Sequence, residues 1–527
     1  MTFQSSRLQW LTNYWCVLIF ALTPVFASLI FTARNFPPPI WILARVGVII
    51  AATALLLYLL MARVVRPART VALMLATLCV LFVLYPMTRQ FFVSGGLLQL
   101  PAYQFAIFYA LGSVLIVIGV AFAGAATLAS LYETAVAMAV VLSVVYAVII
   151  WQIYMRAAAP QMAPVVRSAD RPDPAATLSA VTSPDVYHII LDAFGRSDTL
   201  RAQYGLDLTD FSHSLNAQGF QVYEDAVANY PQTFLSIASM LNVRYLDDPA
   251  ESPQATSRVP MYEMIQHSPV LELFKRSGYQ FVFIGSIYSA TQSHRLADEC
   301  VCDAPIIGEF ESSIIGITPF RDIGLGGLDY RPHRNKILHS LAALESLGPS
   351  KSPRVVLAHL LAPHPPFVFD ESGRPVHPDR AFSVLDGSMF EGSREEYVNG
   401  YDGQARYLTS RLQSIVAHLE ALSRAEGREA FIVIHGDHGP RSRFSATDAG
   451  STDPTEVLPI FLAIHWPSTA SRSGSPVHSL VNVYREFIRR FVDPGFEQLR
   501  DRAFISSFAE PYRFLEIDVA SLTPKKR

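Results

Sequence analysis

The sequence predicts a polytopic α-helical membrane domain followed by an α/β domain with a mainly parallel sheet. Long apolar runs are confined to the first 160 residues, and beyond them short continuous apolar strands alternate with helical patterns. Several of those strands end in Asp or His beside a Gly turn, where open α/β sheets carry their chemistry. We expect membrane spans within 1–156, a linker at 157–184, the α/β domain at 185–515 and a tail at 516–527.

Five apolar runs are close to the roughly 20 residues that cross a bilayer. They lie at 14–31, 40–61, 70–85, 105–128 and 135–154. A cleaved signal peptide accounts for one such run but not for five, so the first domain is predicted to be polytopic. Trp and Tyr residues near the predicted ends agree with the preference of these side chains for the membrane interface.

Basic residues indicate the orientation of the spans. The loop at 62–69 contains three arginines, which favours its placement in the cytoplasm. With five spans, everything after residue 154 then lies outside the cytoplasmic (inner) membrane, on the periplasmic or extracellular side. Arg34, Arg89 and Arg156 fall on that outer side, against the rule.

Charge is divided unevenly along the chain. The whole sequence has 42 Lys and Arg and 45 Asp and Glu, but the first 160 residues contain eight Arg and one Glu. The remainder is therefore net negative by about 10, which argues against nucleic acid as a partner.

Local composition predicts an exposed linker and the surroundings of the four cysteines. Residues 157–184 are rich in Ala, Pro, Ser and Thr without apolar periodicity, as exposed linkers are. Cys16 and Cys79 lie in apolar runs and are expected to be small buried hydrophobes. Cys300 and Cys302 are expected to have a structural or loop role, because a zinc site there lacks two ligands. The sequence leaves their disulfide state open.

Strand and helix patterns alternate after the linker. The predicted strands lie at 185–191, 220–223, 279–285, 354–361, 431–434 and 457–465. The predicted helices lie at 210–219, 270–277, 335–347 and 397–422. Strands that are apolar throughout are typical of a parallel sheet covered by helices on both faces.

Candidate ligands follow these strands. Asp192 ends the strand 185–191, His364 follows 354–361, and Asp437 with His438 follows 431–434 in FIVIHGDHGPR. Thr233 stands at the start of a helix, where it either caps the helix or acts as a nucleophile beside bound anions. Because parallel strands end at one edge of a sheet, we expect these residues to converge. Carboxylates and imidazoles together suit a divalent cation.

Four segments resemble the alkaline phosphatase and sulfatase superfamily, in the membrane-anchored branch that includes lipoteichoic acid synthases and phosphoethanolamine transferases. The segments are ILDAFGR at 190–196, NYPQTFLSIASMLN at 229–242, HLLAPHPPF at 359–367 and HGDHG at 435–439. The resemblance covers about 185–470. Five spans before an external catalytic domain are also similar to the lipoteichoic acid synthase layout.

The resemblance implies an alkaline phosphatase-like sandwich and a set of residue roles. Asp192, Thr233, Asp437 and His438 would bind a metal, Thr233 would also be the nucleophile, and His364 would contact the substrate phosphate. The first of these positions is often Glu in the lipoteichoic acid branch and is Asp here. This departure leaves the identity of the ion open among Mn²⁺, Zn²⁺ and Mg²⁺.

The same segments restrict the reaction. Formylglycine-dependent sulfatases need Cys or Ser in a C-x-P-x-R pattern, whereas the sequence here is TFLSI, so sulfate-ester hydrolysis by that route is not expected. Two-zinc members of the superfamily add an Asp-x-x-x-His pair. Here Asp402 is followed four residues later by Arg406, so we expect one divalent metal ion rather than two.

Other residues keep two interpretations. Arg441 is a candidate for binding an anionic headgroup, and a solvated loop position is the alternative. His188 and His359 lie on predicted strands, where a single histidine is more often a core residue than a ligand. His333 and His359 nevertheless remain open as additional ligands from distant parts of the sequence.

The sequence favours a metal-dependent phosphotransferase that moves a phospho-substituent from a phospholipid or lipid-linked donor to an envelope glycan or lipid. Five spans support the lipid substrate, since an enzyme acting on a soluble substrate needs only one anchor. The alternatives are a membrane-bound phosphatase or phosphodiesterase with water as acceptor, and a non-catalytic membrane protein with a degenerate fold.

Overall fold

The computed structural model describes residues 2–32, 38, 40–94, 97–98, 100–158, 173, 175–178, 183–246, 256–302, 308–323, 330–376, 390, 392–468, 470 and 474–524. The chain forms two compact units. The membrane unit comprises Met1–Gln161, Ile307–Asp329 and Asp379–Ser383. The other unit contains the segments that carry the family resemblance and is here called the catalytic-sequence unit. It comprises Met162–Ile306, Tyr330–Pro378 and Val384–Arg527.

The membrane unit is helical. Its helices are α1 Thr2–Ala21, α2 Thr23–Thr32, α3 Ile40–Met61, α4 Ala68–Arg89, α5 Ala102–Ala121 and α6 Ala125–Ala158, with a π-helical turn at Gln90–Ser94. Five stretches are long and apolar enough to cross a membrane, namely Leu8–Ile30, Ile40–Met61, Ala68–Val93, Tyr103–Ala121 and Ala125–Ile153. The prediction of five spans is confirmed, and the chain is a multi-pass membrane protein.

Several predicted span boundaries differ from the structure. The third span continues past Pro86, which lies inside α4 instead of ending it. The fourth ends at Ala121, and the fifth begins at Ala125, ten residues before its predicted start at 135. Glu133 and Thr134 favour a break there, whereas the apolar residues on both sides of Gly124 hide the actual break from a reading of hydropathy alone.

The second unit contains a seven-stranded mixed sheet. Its strands are β1 Asp185–Leu191, β2 Phe220–Val222, β3 Gln280–Ile284, β4 Glu299–Val301, β5 Arg354–Leu360, β6 Ala430–Gly436 and β7 Leu462–His465. The order across the sheet is β2-β7-β6-β1-β5-β3-β4. Only β7 runs opposite to its neighbours, so the predicted mainly parallel sheet is confirmed.

Helices connect these strands. The helices between β1 and β3 in the sequence are α7 Ser197–Tyr204, α8 Thr209–Ala217, α9 Thr233–Leu241, α10 Val259–Gln266 and α11 Pro269–Arg276. α12 Glu309–Gly316 and α13 Phe320–Ile323 follow and belong to the membrane unit. The remaining helices are α14 Tyr330–Glu345, α15 Arg394–Ala425, α16 Pro454–Val457 and α17 Val481–Phe491.

Helices cover both faces of the sheet, as neighbouring residues of β1 show. Side chains alternate between the two faces of a strand. Tyr187 hydrogen-bonds Ser423 of α15, whereas His188 hydrogen-bonds Tyr484 of α17. Both faces of β1 are therefore buried by helices, which explains why its sequence is apolar almost throughout.

The folded unit extends beyond the predicted boundary at 515. A second sheet pairs β8 Ala503–Ile505 with β9 Leu515–Ile517, and Leu522 is buried in a cluster with Val227 and Val457. The assignment of 516–527 to a tail is thus wrong for the residues up to Leu522. Strands of three residues are too short to give a periodic signal.

The cysteine pair lies at the edge of the main sheet. Cys300 is in β4, which pairs with β3, and it is disulfide-bonded to Cys302. The disulfide therefore lies at the end of an edge strand, and it is this bond that the sequence left open.

Candidate active site at the carboxyl edge of the sheet

Three adjacent strands bring the predicted residues together. In β1, Leu191 lies opposite Leu360 of β5 on one side and Gly436 of β6 on the other. Asp192 and Asp437 therefore follow their strands at the same edge. His359, the penultimate residue of β5, joins them, and the ligand atoms of these three buried residues all lie within 4.8 Å of one another.

Thr233 points into this cluster from the start of α9. Its Oγ1 is 3.5 Å from Oδ2 of Asp192 and 3.3 Å from Nε2 of His438. Gln232 occupies the N-cap position, so the interpretation of Thr233 as a helix cap is wrong. One turn later, Ser236 Oγ donates to the backbone oxygen of Asp437 at 2.7 Å and ties α9 to the Asp-His turn.

His438 presents a lone pair to the carboxylates. Its Nδ1 is 2.7 Å from the carbonyl oxygen of Gly439, and because a carbonyl only accepts, this nitrogen carries the hydrogen. Nε2 is then unprotonated and lies 3.4 Å from Asp192 Oδ1 and 3.5 Å from Asp437 Oδ2. A histidine fixed in this tautomer by a backbone carbonyl is prepared to bind a metal.

Three buried atoms of the cluster have no hydrogen-bond partner among the described residues. They are Asp192 Oδ1, Asp437 Oδ2 and His359 Nε2. Buried polar atoms are nearly always hydrogen-bonded, and an unsatisfied one destabilises the fold. One divalent cation would satisfy all three, and carboxylate oxygens with imidazole nitrogens are suitable donors, so the residues fit a metal site.

His359 and His188 are both buried strand residues, but they face different surroundings. His359 Nε2 is 3.3 Å from Asp192 Oδ2, and its Nδ1 hydrogen-bonds Thr291 Oγ1 at 2.6 Å, so this residue of the sheet also borders the cluster. His188 stays inside the sheet, where its Nε2 is 2.6 Å from His435 Nε2.

His364 lies on the loop after β5, as predicted, and borders the cluster. Its backbone N–H donates to the carbonyl oxygen of Asp192 at 3.1 Å, and its Nδ1 hydrogen-bonds the carbonyl of Pro365. Gln404 of α15 donates to the His364 carbonyl at 3.1 Å. Burial lowers the pKa of His364, so the ring is neutral at neutral pH. His333 on α14 is also buried, which lowers its pKa to about 3.

Arg441 is not a solvated loop residue, so that alternative is wrong. Its side chain is buried, and its Nη2 donates to the carbonyl oxygen of Pro231 at 2.7 Å. The guanidinium also lies over the rings of Phe444 and Phe508, 5.2 and 5.4 Å from their centroids. Arg441 therefore braces the segment that leads into Thr233 and places a positive charge beside the two carboxylates.

The two carboxylates titrate differently. Burial and the negative charge of Asp192 raise the pKa of Asp437 to about 7. Burial opposes ionisation of Asp192 as well, but His364, His359 and His438 outweigh it and hold the pKa of Asp192 below its ordinary value. Without a cation the pair is thus poorly compensated, as two buried carboxylates are expected to be.

Backbone geometry holds the β1 turn over the end of β6. Ala193 has a positive φ of 66° and donates its N–H to Asp437 Oδ1 at 3.1 Å. Tyr401 of α15 donates to the Ala193 carbonyl at 2.8 Å and accepts from the Gly195 N–H at 3.1 Å. At Gly436 a Cβ would collide with the carbonyl oxygen of Phe194, so only glycine permits this approach.

A family model for sulfatases matches residues 184–487, more than half of the chain. The chain belongs to the sulfatase family. It is therefore a sulfatase-family enzyme of the alkaline phosphatase superfamily, and the expected resemblance is confirmed. A search among curated proteins finds no match.

Solved structures similar to this sulfatase-family chain include membrane-associated proteins. The C-terminal periplasmic domain of EcEptC from Escherichia coli, in complex with Zn, is 14% identical, with a TM-score of 0.42, covering 66% of this chain and 96% of that one. The integral membrane protein lipooligosaccharide phosphoethanolamine transferase A from Neisseria meningitidis is 11% identical, with a TM-score of 0.37, covering 92% and 95%.

Sequence reasoning missed several residues that support the site of this sulfatase-family enzyme. Tyr401 and Ser236 lie inside helices, where a hydroxyl gives no positional signal. His359 was open as an additional ligand, but its place inside a buried strand does not indicate which side chain it meets. The strand's position next to β1 was needed to bring His359 to Asp192.

Proposed function

We propose that this enzyme is a metal-dependent phosphotransferase on the outer side of the cytoplasmic membrane. It moves a phospho-substituent from the headgroup of a phospholipid or lipid-linked donor to an envelope glycan or lipid. The observation that carries the proposal is the position of Thr233 Oγ1, which is 3.3 Å from His438 Nε2 and 3.5 Å from Asp192 Oδ2 inside the ligand cluster. Five apolar spans support a lipid substrate.

Asp192, Thr233, Asp437 and His438 would hold one divalent ion, and His359 adds a further donor. Imidazole among the ligands favours Zn²⁺ or Mn²⁺ over Mg²⁺. When bound, the ion would lower the pKa of the Thr233 hydroxyl and neutralise charge on the phosphoryl group.

Thr233 carries the phospho-substituent between donor and acceptor. In the first displacement its Oγ1 forms a bond to phosphorus while the bond from phosphorus to the lipid alcohol breaks. The Thr233 proton would pass by way of a carboxylate, of which Asp192 Oδ2 is at 3.5 Å, to the departing oxygen, which leaves as the lipid alcohol. The start of α9 also directs backbone N–H groups and the positive end of the helix dipole toward the phosphate.

His364 would accept the proton of the acceptor hydroxyl. Its Nδ1–H donates to Pro365, which leaves Nε2 with a lone pair, and burial keeps the ring neutral. In the second displacement this nitrogen would take the proton of the acceptor hydroxyl as that oxygen attacks phosphorus. The bond from phosphorus to Thr233 Oγ1 breaks, and the proton returns to Oγ1, which restores the Thr233 hydroxyl and the neutral His364 ring. Arg441 would supply a fixed positive charge nearby but has its guanidinium bonded to Pro231.

The test is detection of the covalent intermediate. The purified enzyme, loaded with Zn²⁺ or Mn²⁺, is incubated with phospholipid and examined by mass spectrometry for an adduct on Thr233. Thr233→Ala should lose the adduct and the activity, whereas Thr409→Ala, which removes a buried hydroxyl bonded to the Arg406 carbonyl, should retain both. Full activity in Thr233→Ala would exclude the mechanism.

A water-using phosphodiesterase would form the same intermediate. Product analysis with and without an added acceptor alcohol distinguishes transfer from hydrolysis, because transfer consumes the alcohol in proportion to the lipid product. Release of free phospho-headgroup at the same rate in both conditions would identify a hydrolase.

A further inference from the structure

The sequence that follows the linker is here called the catalytic sequence. A short segment of it belongs structurally to the membrane unit. Residues 308–323, here called the docking segment, contain α12 and α13. In the sequence they lie between β4 and α14, both of which belong to the other unit. The docking segment therefore connects the sequences of the two units independently of the linker that follows α6.

The first half of the docking segment packs on α2 and α3. Phe310 is 5% exposed and shares an apolar cluster with Val25, Phe26, Leu29, Val46 and Tyr146. At the edge of this cluster, Ser313 Oγ hydrogen-bonds Ser28 Oγ, and Arg45 donates to the Glu311 carboxylate. An apolar anchor is thus combined with two specific polar contacts.

The second half packs on the end of α4. The Asp322 carboxylate is 6% exposed and accepts from Tyr85 Oη at 2.6 Å and from Arg89 Nε at 2.7 Å. Phe320 meets the ring of Phe82 edge to face, with centroids 5.5 Å apart. A carboxylate buried with one arginine and one tyrosine hydroxyl is held far more specifically than an exposed surface pair.

These contacts explain the presence of two arginines that the predicted orientation of the spans does not explain. Chain connectivity places the start of α3 and the end of α4 at the same end of the spans as the end of α6. Arg45 and Arg89 lie at that outer end, where the positive-inside rule disfavours basic residues. Glu311 and Asp322 neutralise both arginines, and both acids come from the catalytic sequence.

We propose that the docking segment is a second, non-covalent attachment of the catalytic sequence to the membrane helices. Its specific contacts are the Glu311–Arg45 pair and the bonds of Asp322 to Arg89 and Tyr85. Cutting the linker alone should therefore leave the catalytic fragment bound. This inference does not depend on the reaction that the enzyme catalyses.

The test uses the full chain with a protease site placed between residues 159 and 172 and an affinity tag at the N-terminus. After cleavage in detergent, the tagged membrane fragment is captured and the retained catalytic fragment is measured. We expect nearly complete retention for the wild type and at least a tenfold lower retained fraction for Glu311→Arg with Asp322→Arg. Release of the wild-type fragment by cleavage alone would overturn the proposal.

Two further variants separate specific docking from general damage. Glu516→Arg breaks the Arg502–Glu516 pair of the catalytic-sequence unit, at 2.8 Å, and should leave retention unchanged. Adding Arg45→Glu to Glu311→Arg restores an ion pair with reversed polarity and should recover retention lost by Glu311→Arg. Failure of that recovery would contradict the assigned pairing.

A cross-link provides a readout that survives poor folding of the charge variants. Ser28→Cys with Ser313→Cys places two thiols where the hydroxyls touch. After linker cleavage, the two fragments should migrate as one band that separates on reduction, whereas each single variant should give two bands. Two bands in the double variant would refute the docking contact.

Discussion

Replacing Asp437 by Asn should stabilise the metal-free enzyme while weakening its metal binding. Burial and the charge of Asp192 raise the pKa of Asp437 to about 7, so an ionised Asp437 destabilises the folded state. Asparagine removes that charge at constant shape. Its oxygen can still accept from the Ala193 N–H, and its amide can donate to His438 Nε2, which is 3.5 Å from the present Oδ2.

The size of the effect follows from linkage. An unfolded Asp loses its proton near pH 3.8, whereas folded Asp437 keeps it until about pH 7. Between these values the folded state binds the extra proton, so stability falls as the pH rises. Relative to a pH below both pKa values, the free energy of unfolding falls by about 2 kcal/mol at pH 5 and by about 4 kcal/mol at pH 8. For a unit of roughly 340 residues these correspond to about 3 °C and about 6 °C in Tm.

Thermal unfolding in detergent with a chelator measures this difference. The Tm of Asp437→Asn should exceed that of the wild type by about 6 °C at pH 8 and by about 3 °C at pH 5. Excess Zn²⁺ should raise the wild-type Tm more than that of Asp437→Asn. An equal gain at both pH values, or no gain at pH 8, would refute the reasoning.

Three other substitutions test the supports of the site. Tyr401→Phe removes the hydroxyl that bridges the turn after β1 and should lower the free energy of unfolding by about 1–3 kcal/mol, measured by denaturant titration. Gly436→Ala should destabilise by about 1–3 kcal/mol or more in the same titration, because the new Cβ meets the Phe194 carbonyl. His359→Ala should weaken Zn²⁺ binding at least tenfold in competition with a chelator, whereas His418→Ala, remote from the cluster, should not.

The parts of the site that could be predicted lie directly after continuous apolar strands. Asp192 and Asp437 follow β1 and β6, which are adjacent in the sheet, and a parallel arrangement is enough to bring their side chains together. His359 lies within β5, where alternation decides the face but not the neighbour. Its partner Asp192 became evident only when the strand order was known.

The docking segment could not be predicted for a different reason. An apolar helix that packs on membrane helices has the same local pattern as one that packs on a sheet. Glu311 and its partner Arg45 are separated by 266 positions, and no local spacing rule connects residues so far apart. Only the packing of the whole chain identifies which arginine each carboxylate neutralises.

The scaffold around the Asp-His turn is held independently of any cation. Glu456 is fully buried and accepts from Tyr204 Oη at 2.6 Å, from the Arg443 N–H at 2.7 Å and from the Ser442 hydroxyl. These bonds fix the backbone just beyond His438, while Asp437 Oδ2 has no hydrogen-bond partner within the part of the chain that the structure describes. The backbone is therefore satisfied and the ligand atoms are not. Loss of metal should then change the charges and side chains of the cluster more than the path of the chain, which is the arrangement that preorganised catalysis requires.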